Sequence, residues 1–427
     1  MRIFKVSRNL LIVLALFSVF FAATNDSPPP NKAVDIGPSD KLLLPAPFAT
    51  PSARNTSKVI GWPKGKMPVP AAGLEVNLFA DGFDNPRSTY VLPNGDILVV
   101  EAVREWAGRA DRPEKSANRI TLFRDADKDG KPEVREIFLT GLNMPHGMIA
   151  VGNWFYVGNT DSVMRYPYRP GQTKIEGKGE KILDLPHDGH YTRNLLAAPD
   201  GSKIYVAIGS ASNVDEDNQW EKDQRRAGIV QMNPDGSGAR IFANGLRNPV
   251  GMDWEPQTKT LWTVVNERDL LGDDLVPDYL TSVRDGGFYG WPFSYFGQNE
   301  DPRKKGQRPD LVAKAIKPDY ALGSHVAALG LAFYRGNALP ARYQGGAFVG
   351  MHGSWNRSKM VGYKVVFVRF ENGKPIGMPE NVLTGFIANE EKYEAYGRPV
   401  GVTVGRNGSL LVADDSGGKV WRVTTRK

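Results

Sequence analysis

The sequence predicts an all-β fold, a six-bladed β-propeller of four-stranded antiparallel blades closed by pairing of its N- and C-terminal strands. Three observations predict it. One short phrase recurs six times at a period of about 50 residues, the mark of a repeat with one copy per blade. Each copy joins two β-rich apolar runs through a tight turn, which reads as a hairpin. A lone apolar run stands at each end of the body, and joining the two leaves no open sheet edge.

The copies begin near Arg87 (PRSTYVLPNGDILVVEA), Pro145 (PHGMIAVGNWFYVGN), Arg193 (RNLLAAPDGSKIYVAIGS), Pro249 (PVGMDWEPQTKTLWTVVNE), Ala328 (ALGLAFYRG…GAFVGMHGS) and Pro399 (PVGVTVGRNGSLLVADDS). Their turns, PNG, PDG and RNG, suit hairpins because Asn and Gly tolerate positive φ. Further strands between copies, Asn118 to Ala126, Val163 to Tyr168, Gly228 to Asn233 and Tyr363 to Phe370, complete the blades. The terminal runs are Gly73 to Ala80 and Gly418 to Thr425. Between the fourth and fifth copies lies a long insertion, Asn266 to Gly297, of the kind that maps to loops on one face. Its aromatics, Phe288, Tyr289, Trp291, Phe293, Tyr295 and Phe296, suit either blade packing or a pocket wall.

A chain of 427 residues that is 41% hydrophobic can bury a sizeable core, and a propeller absorbs that length in one closed unit. Arg2, Lys5 and Arg8 precede an apolar stretch from Leu10 to Ala23, so residues 1–23 read as a secretory signal peptide; an uncleaved membrane anchor is the alternative. The expected location is periplasmic or secreted. Residues 24–60 are Pro/Ser-rich and read as a linker, leaving 61–427 as the propeller. With no cysteine the chain has no disulfide. The net charge of +7 is spread along the chain apart from the loop Asp301 to Arg308, which gives no nucleic-acid footprint. No GxGxxG opens a helix, so no nicotinamide signature is present.

If each copy starts with the innermost strand, the residues before it converge on one mouth of the central channel. They are Arg87, His146, His190 with Arg193, Arg247 with Asn248, His325 and Arg398. The second strands end nearby on Glu101, Asn159, Ser210, Glu267, His352 and Asp415. Four of the five histidines fall at these positions, with His187 the exception. Such a mouth is an anion funnel, since guanidinium forks grip carboxylates bidentately.

GHYTRNLLAAPDGSKIYVAIGS (from Gly189), NGLRNPVGMDW (from Asn244), NERDLLGDDLVPDYL…GGFYGWP (from Asn266), HGSWNRS (from His352) and GRPVGVTVGRNGSLLVADD (from Gly397) together resemble the soluble pyrroloquinoline quinone (PQQ)-dependent aldose dehydrogenases of the glucose/sorbosone dehydrogenase group. The resemblance runs from about Gly73 to the C-terminus. It implies a propeller oxidoreductase that converts the C1 of an aldose or sugar aldehyde to lactone or acid. His190 then takes the place of the general base, a role suited to a near-neutral imidazole. Arg247 stabilises developing oxyanion charge, Asn248 binds the quinone, and Arg398 clamps a carboxylate. His146 stands where the family has a cofactor-contacting Gln, Arg357 where it has a Lys, and Gly189 where glucose-oxidising members have an acid. The family's Ca²⁺ ligands fall on the backbone carbonyls of Asp269 and Leu270, beside the acids Glu267, Asp273 and Asp274. A sugar is the implied substrate, with a quinone or cytochrome as electron acceptor.

Independently, DADKDGKPEVRE matches an EF-hand loop, with Asp125, Asp127, Asp129, Gly130 and Glu136 in the ligand places; Asp/Gly-rich hairpin turns give the same pattern. Two other functions remain open on sequence. A calcium-dependent lactonase or esterase needs a cage of carboxylates and Asn in the channel, and a non-catalytic binding propeller needs neither His190 nor a clamp.

Overall fold

The computed structural model describes residues 34–103, 116–127 and 130–426, which belong to one compact unit. The fold is all-β with two short helices among these residues, Gln219–Lys222 and Pro309–Lys314. Its main sheets have four or five strands, and each of six begins at one copy of the phrase. Sheet I holds Pro86–Val91, Ile97–Glu101, Arg119–Arg124 and Val134–Leu139. Sheet II holds Gly147–Val151, Trp154–Gly158, Ser162–Pro167 and Glu180–Asp184. Sheet III holds Leu195–Ala197, Ile204–Ile208, Gly228–Met232 and Arg240–Asn244, with Gly287–Phe288 parallel at its edge.

Sheet IV runs Pro249–Trp254, Leu261–Val265, Pro277–Ser282 and Tyr320–Ser324. Sheet V runs Ala328–Phe333, Ala347–Met351, Lys364–Glu371 and Lys374–Thr384. In sheet VI, Pro399–Val404, Leu410–Asp414 and Lys419–Thr425 are followed by Leu74–Asp81, so the two terminal runs pair antiparallel.

The recurring glycine of the phrase has a packing reason. A Cβ on Gly147 would meet Leu195 N at 2.4 Å, on Gly251 Leu331 N at 2.5 Å, on Gly330 Val400 O at 2.2 Å, and on Gly401 Arg87 O at 2.8 Å. Each contact is between one inner strand and the inner strand of the next sheet. Where the phrase lacks glycine, a polar side chain makes the link: Ser88 Oγ donates to His146 O at 2.8 Å, and Asn194 Nδ2 to Val250 O at 2.8 Å. Inner strands therefore touch in the order I, II, III, IV, V, VI and I again. Val250, Leu329 and Val400 form a small apolar cluster among the strands of sheets IV, V and VI.

Two expectations change. Residues 24–60 were expected to be a linker, but from Val34 onward the described part is docked. Ile36–Pro38 adds to the edge of sheet IV, and Lys58–Val59 pairs with Glu394–Ala395. Single strands laid on existing edges need no hydrophobic period of their own, so sequence periodicity does not show them. The signal-peptide segment lies outside the described residues. Within the insertion, Pro277–Ser282 is a strand of sheet IV, buried along nearly its whole length and thus without alternation. All six aromatics of the insertion are buried, so they pack rather than wall an open pocket.

Candidate functional site

The mouth residues gather into two groups. In the first, from sheets I, V and VI, Asp415 is the centre. Arg87 Nη1 donates to Asp415 Oδ2, and His352 Nε2 lies 2.9 and 3.0 Å from the two carboxylate oxygens. A carboxylate only accepts, so this nitrogen carries the proton. Arg398 Nε and Nη2 donate to the carbonyls of His352 and Gly353 at 3.0 and 2.7 Å, and its guanidinium stands 5.4 Å from the Tyr363 ring. Burial opposes ionisation of Asp415, yet the His352 N–H with Arg87 and Arg398 holds its carboxyl well below the usual range. Burial and the nearby Arg398 push His352 down to about 4, so its imidazole is neutral at pH 7.

The second group comes from sheets III and IV and the loop after Val265. His190 Nδ1 lies 2.9 Å from Ser210 O and 3.2 Å from Ser210 Oγ. The carbonyl fixes the proton on Nδ1, so Nε2 is the unprotonated nitrogen of the neutral ring. Arg247 is gripped on three sides: Nε on Asn213 O at 3.2 Å, Nη1 on Glu267 O at 2.7 Å, and Nη2 on Asn213 Oδ1 at 3.0 Å and Asp269 Oδ2 at 3.2 Å. Asp269 Oδ1 stands 3.7 Å from His325 Nδ1. Burial works against the Asp269 carboxylate, but His325, Arg247 and His190 together hold its pKa down. Glu267, buried on the same loop, is pushed up to about 7 by that burial.

At the mouth, several buried polar atoms have no hydrogen-bond partner among the described residues. Both ring nitrogens of His146, Asn248 Oδ1 and Arg87 Nε are among them. Burial, with Arg87 and Arg193 nearby, lowers His146 to about 3. His146 also lines the upper end of a cavity of about 260 Å³ walled by the inner strands. Orphaned donors and acceptors of this kind are the chemistry that a polar, carboxylate-bearing group satisfies.

Other expected residues lie elsewhere. Arg193 is fully buried and donates to the carbonyls of Pro186, His190 and Thr192, so it ties a loop together. Arg357 pairs with Asp274 at 2.7 Å and with Asp35 of the N-terminal segment at 3.7 Å. Asp273 holds Ser358, so the acids of the loop do not converge on one point. The carbonyl of Asp269 already accepts from Asn213 Nδ2 at 3.0 Å and from Arg268 at 2.9 and 3.1 Å. It does not fit a cation ligand in this arrangement. The Leu270 N–H donates to Asn356 Oδ1 at 2.9 Å.

In the EF-hand-like loop, the carboxylates that approach one another are those of Asp125, Asp127 and Glu133. Glu136 is instead an exposed strand residue opposite Leu122, because the hairpin has already turned into Val134–Leu139. Asp129 lies outside the described residues. Sequence reasoning missed Asn213, which binds Arg247, Asp269 and Trp291 at once. It follows a second strand by a few residues and carries no motif of its own.

A ring of contacting inner strands with arginines, histidines and paired carboxylates gathered at one end defines an all-β protein with a polar site at its mouth. Residues 68–276 and 298–426 match the family model described as TrAA12-like, and the chain belongs to this family. It is 32% identical over 243 residues to an uncharacterized protein of Borreliella burgdorferi, covering 56% of this chain and 61% of that one. It is 23% identical to the pyrroloquinoline quinone-dependent pyranose dehydrogenase of Coprinopsis cinerea, over 84% of this chain and 54% of that protein. To the aldose sugar dehydrogenase YliI of Escherichia coli it is 27% identical, over 60% of each chain. The chain thus spans little more than half the length of these curated relatives.

Among solved structures, the calcium structure of a Trichoderma reesei AA12 enzyme matches with a TM-score of 0.71 at 21% identity, over 87% of this chain and 99% of that one. The holo PQQ domain of the Coprinopsis cinerea pyranose dehydrogenase matches with a TM-score of 0.69, also at 21% identity, over 86% and 100%. These likenesses show the fold.

Proposed function

We propose that the chain is a closed six-bladed propeller that oxidises the C1 of an aldose or sugar aldehyde to lactone or acid, with PQQ as the hydride acceptor. The observation that carries this reading is His190: its Nδ1 is pinned on Ser210 O, its Cβ and Asn248 Oδ1 both crowd Gly209, and it acts with Arg247 on the Asp269 carboxylate. The family membership and the dehydrogenase names of the relatives support it, and the cyclic contacts of the inner strands support the blade count.

When bound, PQQ supplies the quinone carbonyl that takes the C1 hydride. His190 Nε2 takes the proton of the anomeric hydroxyl. Arg247, held by Asn213 and Asp269, presents positive charge where oxyanion character develops. Asn248 Oδ1, His146 and Arg87 Nε offer unsatisfied polar atoms to the cofactor, and Arg398 with Arg87 supplies the cationic wall for its carboxylates. Arg357, bonded to Asp274, belongs to the cofactor site in this reading only through rearrangement of that pair. Calcium at Asp269 and Leu270 likewise requires Arg268 to release the Asp269 carbonyl, and no step is routed through it. A calcium lactonase needs free carboxylates at the mouth, whereas Asp269 and Asp415 are both bonded to guanidinium groups.

The N-terminal apolar stretch supports a periplasmic or secreted location; among the described residues no helix is long and apolar enough to cross a membrane. The test is reconstitution of apoprotein with PQQ, with and without Ca²⁺, followed by dye reduction across aldoses and sugar aldehydes. Turnover on at least one sugar is expected, and failure of PQQ to bind the wild type overturns the reading.

A further inference from the structure

Outside the mouth, an open pocket of about 370 Å³ lies between sheets IV and V. Its walls are apolar, with Ile36, Leu322, Met351, Met360 and Val366 prominent, and a single lysine, Lys364, stands among them. None of the mouth residues lines it. Lys364 opens the third strand of sheet V, opposite Met351. Burial lowers its pKa, and no acid acts on it to offset that cost. Other buried or partly buried cations of this chain have partners, Arg119 with Glu101 and Arg124 with Asp96 through carboxylates, Arg193 through carbonyls. A partly buried lysine in the wall of an apolar pocket is a different arrangement. Its cost is offset when an anion with an apolar body enters, and a pocket of this size with one convergent charge has the form of a small-molecule site.

The pocket is also next to the mouth without being part of it. Met351 directly precedes His352, and Tyr363, which lines the pocket, donates from its hydroxyl to Ser354 O at 2.8 Å and lies under Arg398. Ile36 of the N-terminal segment completes the wall, so the site exists only with that segment docked.

We propose that this pocket binds a small organic monocarboxylate with an apolar body, its carboxylate on the Lys364 ammonium and its chain among the methionines and aliphatic residues. Octanoate is the probe and octanamide its uncharged control, each titrated into the purified protein by calorimetry. Octanoate is expected to bind at one site at least tenfold more tightly than octanamide. Lys364→Met, which keeps the side chain's length and removes its charge, brings octanoate down to the level of the amide. Lys364→Arg retains most of the preference. His190→Ala leaves octanoate binding unchanged, which separates this pocket from the proposed catalytic site. Equal affinity for octanoate and octanamide, or octanoate binding indifferent to Lys364→Met in a variant whose circular dichroism matches wild type, overturns the proposal. So does a dimer in solution that buries the pocket, read by light scattering and by loss of octanoate binding on concentration.

Discussion

The two halves of the mouth hold their cations in different ways. Around Asp415, Arg87 and His352 are fixed by one shared buried carboxylate drawn from sheets I, V and VI. Around His190, carbonyls do most of the fixing: Ser210 O orients the imidazole, and Asn213 O and Glu267 O hold Arg247, with the Asp269 carboxylate a longer contact at 3.2 Å. A carboxylate neutralises the charge it holds, whereas a carbonyl orients a group and leaves its charge or lone pair in place. The first half therefore holds its cation by ion pairing within the fold. The second holds an oriented imidazole and a cation mainly through carbonyls, which in the proposed reading are the base and the oxyanion-stabilising group.

The sharpest way to break this contrast is to compare the two histidines that each have one nitrogen pinned. His190→Ala is expected to lower kcat by about 10²–10⁴-fold, the range for loss of a general base, with cofactor binding retained in a spectral titration. His352→Ala is expected to weaken cofactor binding with a smaller loss in kcat. If the kcat losses are reversed, His352 is the base. Arg247→Lys comes next, at about 10²-fold in kcat, because a point charge cannot engage Asn213 and Asp269 together; a change confined to KM refutes the oxyanion role.

Asp415→Asn tests the other half. It leaves Arg87 buried without its anion, and breaking such a pair costs about 3–5 kcal/mol. Denaturant unfolding of apoprotein measures it. A loss below about 1 kcal/mol would mean that the wall does not depend on ion pairing.

How much of this was legible in the sequence follows from what each feature needs. The hairpins were legible because turn chemistry and alternation are local, and the inner-strand glycines recur in the phrase itself. His190, Arg247, His352 and Asp415 were placed at the mouth because a repeat carries position as well as shape. The partners were not legible. Nothing local to Asp415 tells that it meets Arg87, more than three hundred residues away, and Asn213 is an ordinary polar residue until the fold brings Arg247 to it. The N-terminal segment was hidden for a related reason: strands as short as Ile36–Pro38 take their order from the edge they join.

Acidification gives a smaller and graded effect, to which the buried groups contribute in opposite directions. His352 is lowered to about 4 and His146 to about 3, from an ordinary value of 6.5. Below pH 6.5 the unfolded chain takes up protons that the folded chain refuses, so these groups make stability fall as pH drops from 6.5 toward 4. Glu267, raised to about 7 by burial, acts oppositely, favouring the folded state as pH falls from 7 toward 4.5. The difference between wild type and a variant isolates one group. His146→Gln, neutral at every pH, is expected to be less sensitive to acid over that window in thermal unfolding. An unchanged pH slope would mean that His146 is solvated in the protein.

The smallest expected change distinguishes the two contacts of His190 from each other. Ser210 offers a carbonyl at 2.9 Å and a hydroxyl at 3.2 Å, and that hydroxyl donates its own proton to Ser212 O at 2.7 Å. If the carbonyl sets the tautomer, as the shorter contact implies, Ser210→Ala removes only a secondary contact and changes kcat by no more than a few-fold, within the scatter of a single weak hydrogen bond. A loss approaching that of His190→Ala would instead make the hydroxyl the orienting group. The orientation of His190 would then rest on a side chain, as that of His352 rests on Asp415.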